Sequence, residues 1–333
     1  MELALLISVI VIALVFDFVN GMDDCANAIA TVVSTRALPP QRAVALARTL
    51  NVVGAFLTTA VAKTIGKGIV DPETAAVTQG MILAGLLGAI GWTLICWYMG
   101  LPTSVSHALI GGLIGIVWLR LGLGVLQFAG IKKILIAMVV SPVAGFLLGL
   151  LIMVVSNRLA HRVRAPLRSK NRFFRWTQIL SSSYMALSHG TNDTQNAMGI
   201  ITMALVSYGA LSDFRVPFWV ILSCGLAMGF GTQVGGWRII RTMGMKITDL
   251  RPVGGFAAET GAATAILGAS LLGLPVSTTH TITSSIMGVG SHRSLSMVRW
   301  GVARRILWAW VFTVPGSAVI AMLMGVILGV FHI

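Results

Sequence analysis

Two short polar motifs each occur twice in this chain, in the same order, and every copy lies within apolar sequence. The motif GMDDCANA at 21–28 returns as GTNDTQNA at 190–197, and LPTSVSH at 101–107 returns as LPVSTTH at 274–280. A polar constellation duplicated inside apolar segments is typical of transporters built from two structural repeats. The sequence therefore predicts one repeat in each half of the chain.

The composition indicates that these segments cross a membrane. Hydrophobic residues make up 56% of the 333 residues and charged residues only 10%. Apolar stretches of nearly membrane-spanning length recur along the whole chain, which no soluble core of this size would need. All three cysteines lie in apolar segments, which favours buried thiols over a disulfide framework. We expect an all-α polytopic membrane protein.

The basic residues predict the orientation in the cell membrane. The net charge of +14 comes from Lys and Arg in short connections between apolar segments, so the positive-inside rule accounts for it and nucleic acid is not expected as a partner. The richest connection, 158–175, is assigned to the cytoplasm, between a first repeat at 1–157 and a second at 176–333. Most of the basic residues then face inside, with both termini outside.

Each half contains six apolar segments, and the second segment of the first half and the first segment of the second half are too short to cross alone. We expect the first two segments of each half to form one crossing, interrupted at Asn20-Gly21 and at His189-Gly190. Each half then crosses five times, so the two repeats have inverted topology. Interrupted or re-entrant helices are expected to carry the binding site.

The first motif repeats an acid followed by an amide three residues later, a spacing that puts both on one helix face. The residues are Asp24 with Asn27 and Asp193 with Asn196, and Asp23 and Asn192 are third polar groups beside them. A carboxylate in lipid is costly, so a repeated one implies a bound cation or proton. The alternative is helix capping, for which Asp and Asn at a helix start are ordinary residues.

The second motif repeats a run of hydroxyls after a proline. Pro102 and Pro275 are predicted to lie in the first turn of a helix, where free N–H groups and the helix dipole favour an oxyanion. The candidate anion-binding hydroxyls are Ser104, Ser106, Ser277, Thr278 and Thr279. Alternatively, these hydroxyls bond back to their own helix or join neighbouring helices.

Three further features lie outside the paired acids and hydroxyls. Glu259 lies within an apolar run and is a candidate site for the coupling cation, or else is hydrogen-bonded to its neighbours. Asp17, three residues before Asn20, either joins the site or lines an aqueous vestibule. His107 and His280 are structural hydrogen-bond donors to the next helix or, second, members of a proton relay.

These motifs resemble the inorganic phosphate transporter (PiT) family over nearly the whole chain. The resemblance rests on the Gly-x-x-Asp-x-x-Asn signature in both halves, the Pro-x-Ser-x-[Ser/Thr]-His pair, and the stretch KTIGKGI at 63–69, which RTMGMKI at 241–247 echoes. Two positions depart from the family pattern. Asp23 stands where Asn or His is usual, and Val105 lacks the hydroxyl of its counterpart Thr278.

The resemblance implies a secondary transporter that moves phosphate with a coupling cation, Na⁺ or H⁺, and no other cofactor, around a site near the midplane. It puts Asp24, Asn27, Ser104, Asp193, Asn196, Ser277 and Thr278 at the substrate and cation sites. Inorganic phosphate, the coupling cation and the lipid bilayer are the expected partners. A homo-oligomer is possible.

Other readings of the same residues stay open. Another tetrahedral oxyanion, above all sulfate, could be the substrate, although protonated phosphate can donate hydrogen bonds to carboxylates and sulfate cannot. An intramembrane hydrolase would use Ser104 or Ser277 with a His and an Asp. We do not expect an enzyme, since catalysis needs no inverted duplicate of the whole set. An anion channel is a further alternative, but discontinuous helices at paired sites suit an alternating-access transporter better than an open pore.

Overall fold

The computed structural model describes residues 2–70 and 77–330, and within these ranges the chain forms helices and connections without a strand. The six helices of the first half are α1 (Glu2–Ser34), α2 (Pro40–Gly54), α3 (Ala60–Gly68), α4 (Gln79–Met99), α5 (Val105–Leu121) and α6 (Phe128–Arg162). Those of the second half are α7 (Leu167–Ser207), α8 (Phe218–Val234), α9 (Trp237–Arg241), α10 (Pro252–Leu271), α11 (Thr278–Ser291) and α12 (Trp300–Val330). A π-helical turn, Thr242–Lys246, continues α9.

The helix order of the first half is repeated in the second. In both halves a long helix is followed by two shorter ones and then by a helix pair whose connection carries the Pro-Ser-His motif. A 3₁₀ turn then precedes the last long helix, at Leu123–Val125 and at Leu295–Met297. This order confirms the two-repeat, all-helical fold class.

Helices of each half pack against helices of the other half. Helix α1 packs on α8 and α7 on α2, while α6 lies against α10 and α11, and α12 lies against α4 and α5. Small residues allow the close contacts: a Cβ on Gly145 of α6 would lie 2.4 Å from the carbonyl oxygen of Thr281 in α11. The segments of α1 and α7 that carry the first motif are thereby buried between the two halves.

The interruptions predicted at Asn20-Gly21 and His189-Gly190 are absent, because α1 and α7 run through these positions. Their glycines serve helix packing. A Cβ on Gly21 would lie 2.2 Å from the Met228 carbonyl oxygen, and one on Gly190 would lie 2.3 Å from that of Asn51. The bend lies instead between α8 and α9, which meet at 63°.

In the described part of the chain, four helices are long and apolar enough to cross a membrane by themselves: Glu2–Ser34, Gln79–Met99, Phe128–Arg162 and Trp300–Gly329. The bent pair of α8 with α9 and its π-helical turn is a fifth candidate. These helices confirm a polytopic membrane protein, while five crossings in each half stay a prediction. Helices α6 and α7 extend into the stretch 158–175, so only residues 163–166 of that stretch lie outside a helix.

Candidate functional site

The paired acids and amides lie in the middle of α1 and α7, buried between the halves. Asp24, Asn27, Asp193 and Asn196 are each at most 2% exposed. Helix α1 begins at Glu2 and α7 at Leu167, so neither acid is near a helix start. Because an N-cap has to precede the first helical turn, capping cannot explain either acid.

The second motif does supply helix caps. Ser104 is the N-cap of α5 and accepts the N–H of His107 at 3.3 Å, and Ser277 caps α11 and accepts the N–H of His280 at 3.1 Å. For these two hydroxyls, bonding back to their own helix is therefore correct. Pro102 and Pro275 precede the caps by two residues, so the prediction that they lie in the first helical turn is wrong: the serine, not the proline, satisfies the free N–H groups there.

The amides of the first motif reach the hydroxyls of the other repeat. Asn27 donates from Nδ2 to Thr278 Oγ1 at 3.1 Å and to Thr279 Oγ1 at 3.0 Å. In the inverse direction, Asn196 donates to Ser106 Oγ at 2.7 Å. The two repeats are thus joined at the site by equivalent bonds running in opposite senses.

The hydroxyls also contact the carboxylates. Thr279 donates to Asp24 Oδ1 at 2.6 Å, and Thr278 donates to Asp193 Oδ2 at 2.8 Å. Thr278 therefore joins the acid of its own repeat, whereas Thr279 joins the acid of the other repeat. Val105 stands at the position equivalent to Thr278, so the first repeat has no hydroxyl for this contact.

A histidine predicted only as part of a helix break completes the cluster. His189 Nε2 lies 3.2 Å from Asp193 Oδ2, and its Nδ1 lies 3.1 Å from Asn51 Oδ1. Ligand atoms of Asp24, His189 and Asp193 lie within 4.8 Å of one another, a group that could hold a metal ion. The signal that could have identified His189 is its position, since it occupies the place of Asn20 in the other repeat.

The two third polar groups have different surroundings. Asn192 donates to Asp193 Oδ1 at 2.7 Å and to the Val276 carbonyl at 2.8 Å, and it accepts from Ser270 at 3.1 Å. Asp23 is buried, but neither carboxylate oxygen has a hydrogen-bond partner among residues 2–70 and 77–330. Asn192 thus belongs to the bonded cluster and Asp23 does not.

Glu259 lies in a second polar cluster. Its carboxylate accepts from Thr31 of α1 and from Ser181 and Gln178 of α7, the last at 3.3 Å. These bonds show that it is hydrogen-bonded to its neighbours. Thr31 follows Asn27 by one helical turn, so the second cluster continues the polar face of α1.

Asp17 and Asn20 extend that face the other way. Both side chains are fully buried, and Asn20 donates to the Asp193 carbonyl at 3.4 Å. Both carboxylate oxygens of Asp17 and the amide oxygen of Asn20 are without partners in the described part of the chain. Asn20 therefore borders the cluster, and Asp17 lies one turn beyond it.

The two motif histidines meet each other. The rings of His107 and His280 lie 4.8 Å apart in a T-shaped arrangement, and His280 stacks on Trp310 at 3.8 Å. Neither ring nitrogen of His107 is hydrogen-bonded within the described ranges, so this ring is not a hydrogen-bond donor to the next helix. The hydrolase alternative requires a serine that donates to an imidazole, whereas the bonds that the described residues give the Ser104 and Ser277 hydroxyls are accepted from main-chain N–H groups.

The arrangement combines hydroxyl and amide groups with two nearby carboxylates. The donors could bind an oxyanion, and the carboxylates could bind a cation or a proton. Because groups from both repeats form the cluster, movement of one repeat against the other would rearrange it.

Comparisons with known proteins agree on one family. The family model described as the phosphate transporter family matches residues 20–172 and 164–321. A probable low-affinity inorganic phosphate transporter of Rhizobium meliloti is 48% identical, covering 96% of this chain and 95% of the relative. One of Bacillus subtilis is 47% identical, covering 95% of each chain. A solved structure described as the sodium-dependent phosphate transporter matches with a TM-score of 0.86 and 27% identity, covering 98% of this chain and 99% of that one.

Proposed function

The chain belongs to the phosphate transporter family, and from this premise we propose that it imports inorganic phosphate across the cell membrane by symport with a cation. One observation carries the proposal: the amides and hydroxyls that bridge the two repeats lie against two buried carboxylates. Such a site can bind an anion and a cation together, and it is built from elements that can move relative to each other.

We assign phosphate binding to the donors of the central cluster. These residues are Asn27, Asn196, Ser106, Thr278 and Thr279, with Ser104 and Ser277 at the helix starts, and Asp24 and Asp193 as acceptors for phosphate protons. The hydroxyls now bonded to carboxylates would turn to the anion when it enters. A hydroxyl can donate only one hydrogen bond, so a hydroxyl that donates to the anion no longer donates to a carboxylate. Each carboxylate then needs another partner for its negative charge.

That partner is the coupling cation. Asp24 and Asp193 are the central candidates, with Asn192 beside them, while Asp23 precedes Asp24 on α1 and Glu259 lies on α10 in the second polar cluster. The solved relative is described as sodium-dependent, which favours Na⁺, and oxygen ligands suit this ion. A proton is the other candidate, because a buried carboxylate can bind either. The predicted orientation, with both termini outside, completes the proposal.

Sulfate is disfavoured as the substrate. It keeps no proton near neutral pH and would present only acceptors to Asp24 and Asp193, whereas phosphate can donate to them. The two named relatives are described as probable low-affinity inorganic phosphate transporters.

Uptake of labelled phosphate into proteoliposomes, with the sodium and pH gradients imposed separately, tests this function. We expect one of the two gradients to drive accumulation, and arsenate to compete far better than sulfate. Accumulation that follows neither gradient would refute symport, and sulfate competing equally with phosphate would refute the binding mode.

A further inference from the structure

A cavity of about 340 Å³ lies away from the central cluster, where three parts of the chain meet. They are the connection between α4 and α5, the α9 segment with its π-helical turn, and the start of α12. Four cationic side chains line it: Arg238, Arg241, Lys246 and Arg305. None of the described residues that line the cavity carries a carboxylate. The volume is at the lower end of the roughly 300–1,000 Å³ of small-molecule sites.

The positive charges that line this cavity have no acidic partner among the described residues. Arg241, Lys246 and Arg305 form no ion pair with a carboxylate in residues 2–70 and 77–330. Arg238 is oriented by Tyr98: it donates to the Tyr98 carbonyl, and its guanidinium lies 4.8 Å from the ring centroid. Like charges gathered around one concave space repel one another, so binding an anion there is favourable.

The backbone around the cavity is tied to the central helices. Thr242, which begins the π-helical turn, donates to the Gly100 carbonyl at 3.0 Å. Gly244 in the same turn packs against α1, where an added Cβ would lie 2.5 Å from the Ala30 carbonyl oxygen. Turns of π-helix are frequent at functional sites. The cavity is thus joined to the helix that carries Asp24 and Asn27.

We propose that this cavity is a second binding site for a phosphate group, separate from the central cluster. Guanidinium groups pair with phosphate oxygens bidentately, and the lysine adds a compact charge. The phosphate group belongs either to free inorganic phosphate or to the headgroup of an anionic lipid. The inference rests on the proposed function for the first source, because inorganic phosphate is then the transported substrate.

Binding of labelled inorganic phosphate to the purified full-length protein in lipid-free detergent tests the site. The cavity variant combines Arg241→Gln, Lys246→Gln and Arg305→Gln. The control combines Arg42→Gln, Arg162→Gln and Arg304→Gln, which removes the same charge from exposed positions outside the cavity. We expect the wild type and the control to bind two phosphates. The cavity variant should bind the second about tenfold or more weakly, because hydrogen bonds to charged groups contribute on this order.

Two further measurements distinguish the central site from the cavity site and identify the source of the phosphate group. Asp24→Asn should abolish the central site and leave the cavity site intact, so binding unaffected by Asp24→Asn counts against the proposed function and not against the cavity. Added phosphatidylglycerol that displaces the second phosphate, when phosphatidylcholine does not, identifies a lipid headgroup; no displacement by either identifies free phosphate. The proposal is overturned if the cavity variant binds the second phosphate as tightly as the wild type does.

Discussion

At the scale of single residues, equivalent positions have different partners. Asp24 bonds a threonine of the other repeat, whereas Asp193 bonds Thr278 of its own repeat and also contacts His189. The asymmetry arises because Val105 cannot provide the bond that Thr278 provides. The two acids therefore contribute to one cluster in different ways.

Asp24→Asn and Asp193→Asn test the role of the carboxylates. Each keeps the volume and removes the charge, so we expect phosphate uptake to fall by about tenfold to a hundredfold or more, since a charged hydrogen-bonded group is lost. Proteoliposome uptake measures the effect. Asp213→Asn is the control, because Asp213 is an exposed acid near Arg215. Uptake near the wild-type level in either variant would exclude the carboxylate role.

The asymmetry between the repeats predicts unequal effects of a matched pair of substitutions. Thr278→Val should weaken phosphate transport strongly, because it leaves Asp193 and Asn27 each without one bond, at roughly 1 to 3 kcal/mol per buried group. Val105→Thr should change transport little. Thr278→Ser keeps the hydroxyl and should therefore retain transport. The concentration dependence of uptake measures all three. Normal transport by Thr278→Val would contradict the assigned role of this hydroxyl.

At the scale of helices, glycines in α1 and α7 bring neighbouring helices together without ending the helix. Their cost in helix propensity is about 1 kcal/mol relative to alanine. The close approach of α7 to α2 at Gly190 and of α1 to α8 at Gly21 offsets this cost. The site is thus built on continuous helices, with the breaks located at the starts of α5 and α11 and between α8 and α9.

Gly190→Ala tests this packing. The added Cβ would lie 2.3 Å from the Asn51 carbonyl oxygen, so α2 and α7 must separate, and we expect a lower melting temperature and reduced uptake. Gly268→Ala is the matched control within α10, since nothing lies within 4 Å of its added Cβ. That variant should be unchanged or about 0.5–1 kcal/mol more stable. Equal melting temperatures of the two variants in detergent would contradict the packing role of Gly190.

At the scale of the whole molecule, the length of α6 determines on which sides of the membrane its two flanking segments lie relative to each other. Its 35 residues span about 50 Å at 1.5 Å per residue, more than the roughly 30 Å hydrocarbon core. The segment before α6 and the basic segment after it should therefore face opposite sides of the membrane.

Single cysteines at Gly124 and Ser169 test the orientation. Both positions are exposed and flank α6, Gly124 has open space for a side chain, and the three native cysteines are buried. In intact cells an impermeant thiol reagent should label Gly124→Cys from outside, and Ser169→Cys only after permeabilisation. Labelling of both from outside would refute a cytoplasmic 158–175 stretch.

The sequence by itself determined the class of protein, the duplication and most residues of the site. Apolar composition specifies the membrane, and the repeated GMDDCANA and LPTSVSH motifs single out Asp24, Asn27, Ser106 and their counterparts, which the fold brings together. These features are local in the chain or recur within it, so pattern alone reveals them.

Only the tertiary structure decided which group meets which. Asn27 and Thr278 are distant in sequence, and their contact depends on how helices of one half pack between those of the other. The same packing turned Gly21 and Gly190 from predicted breaks into contact points, brought Asn51 of α2 to His189, and placed Glu259 in a separate cluster. Helical periodicity defines the face a residue occupies, but the neighbour of that face is set by the three-dimensional arrangement of the helices.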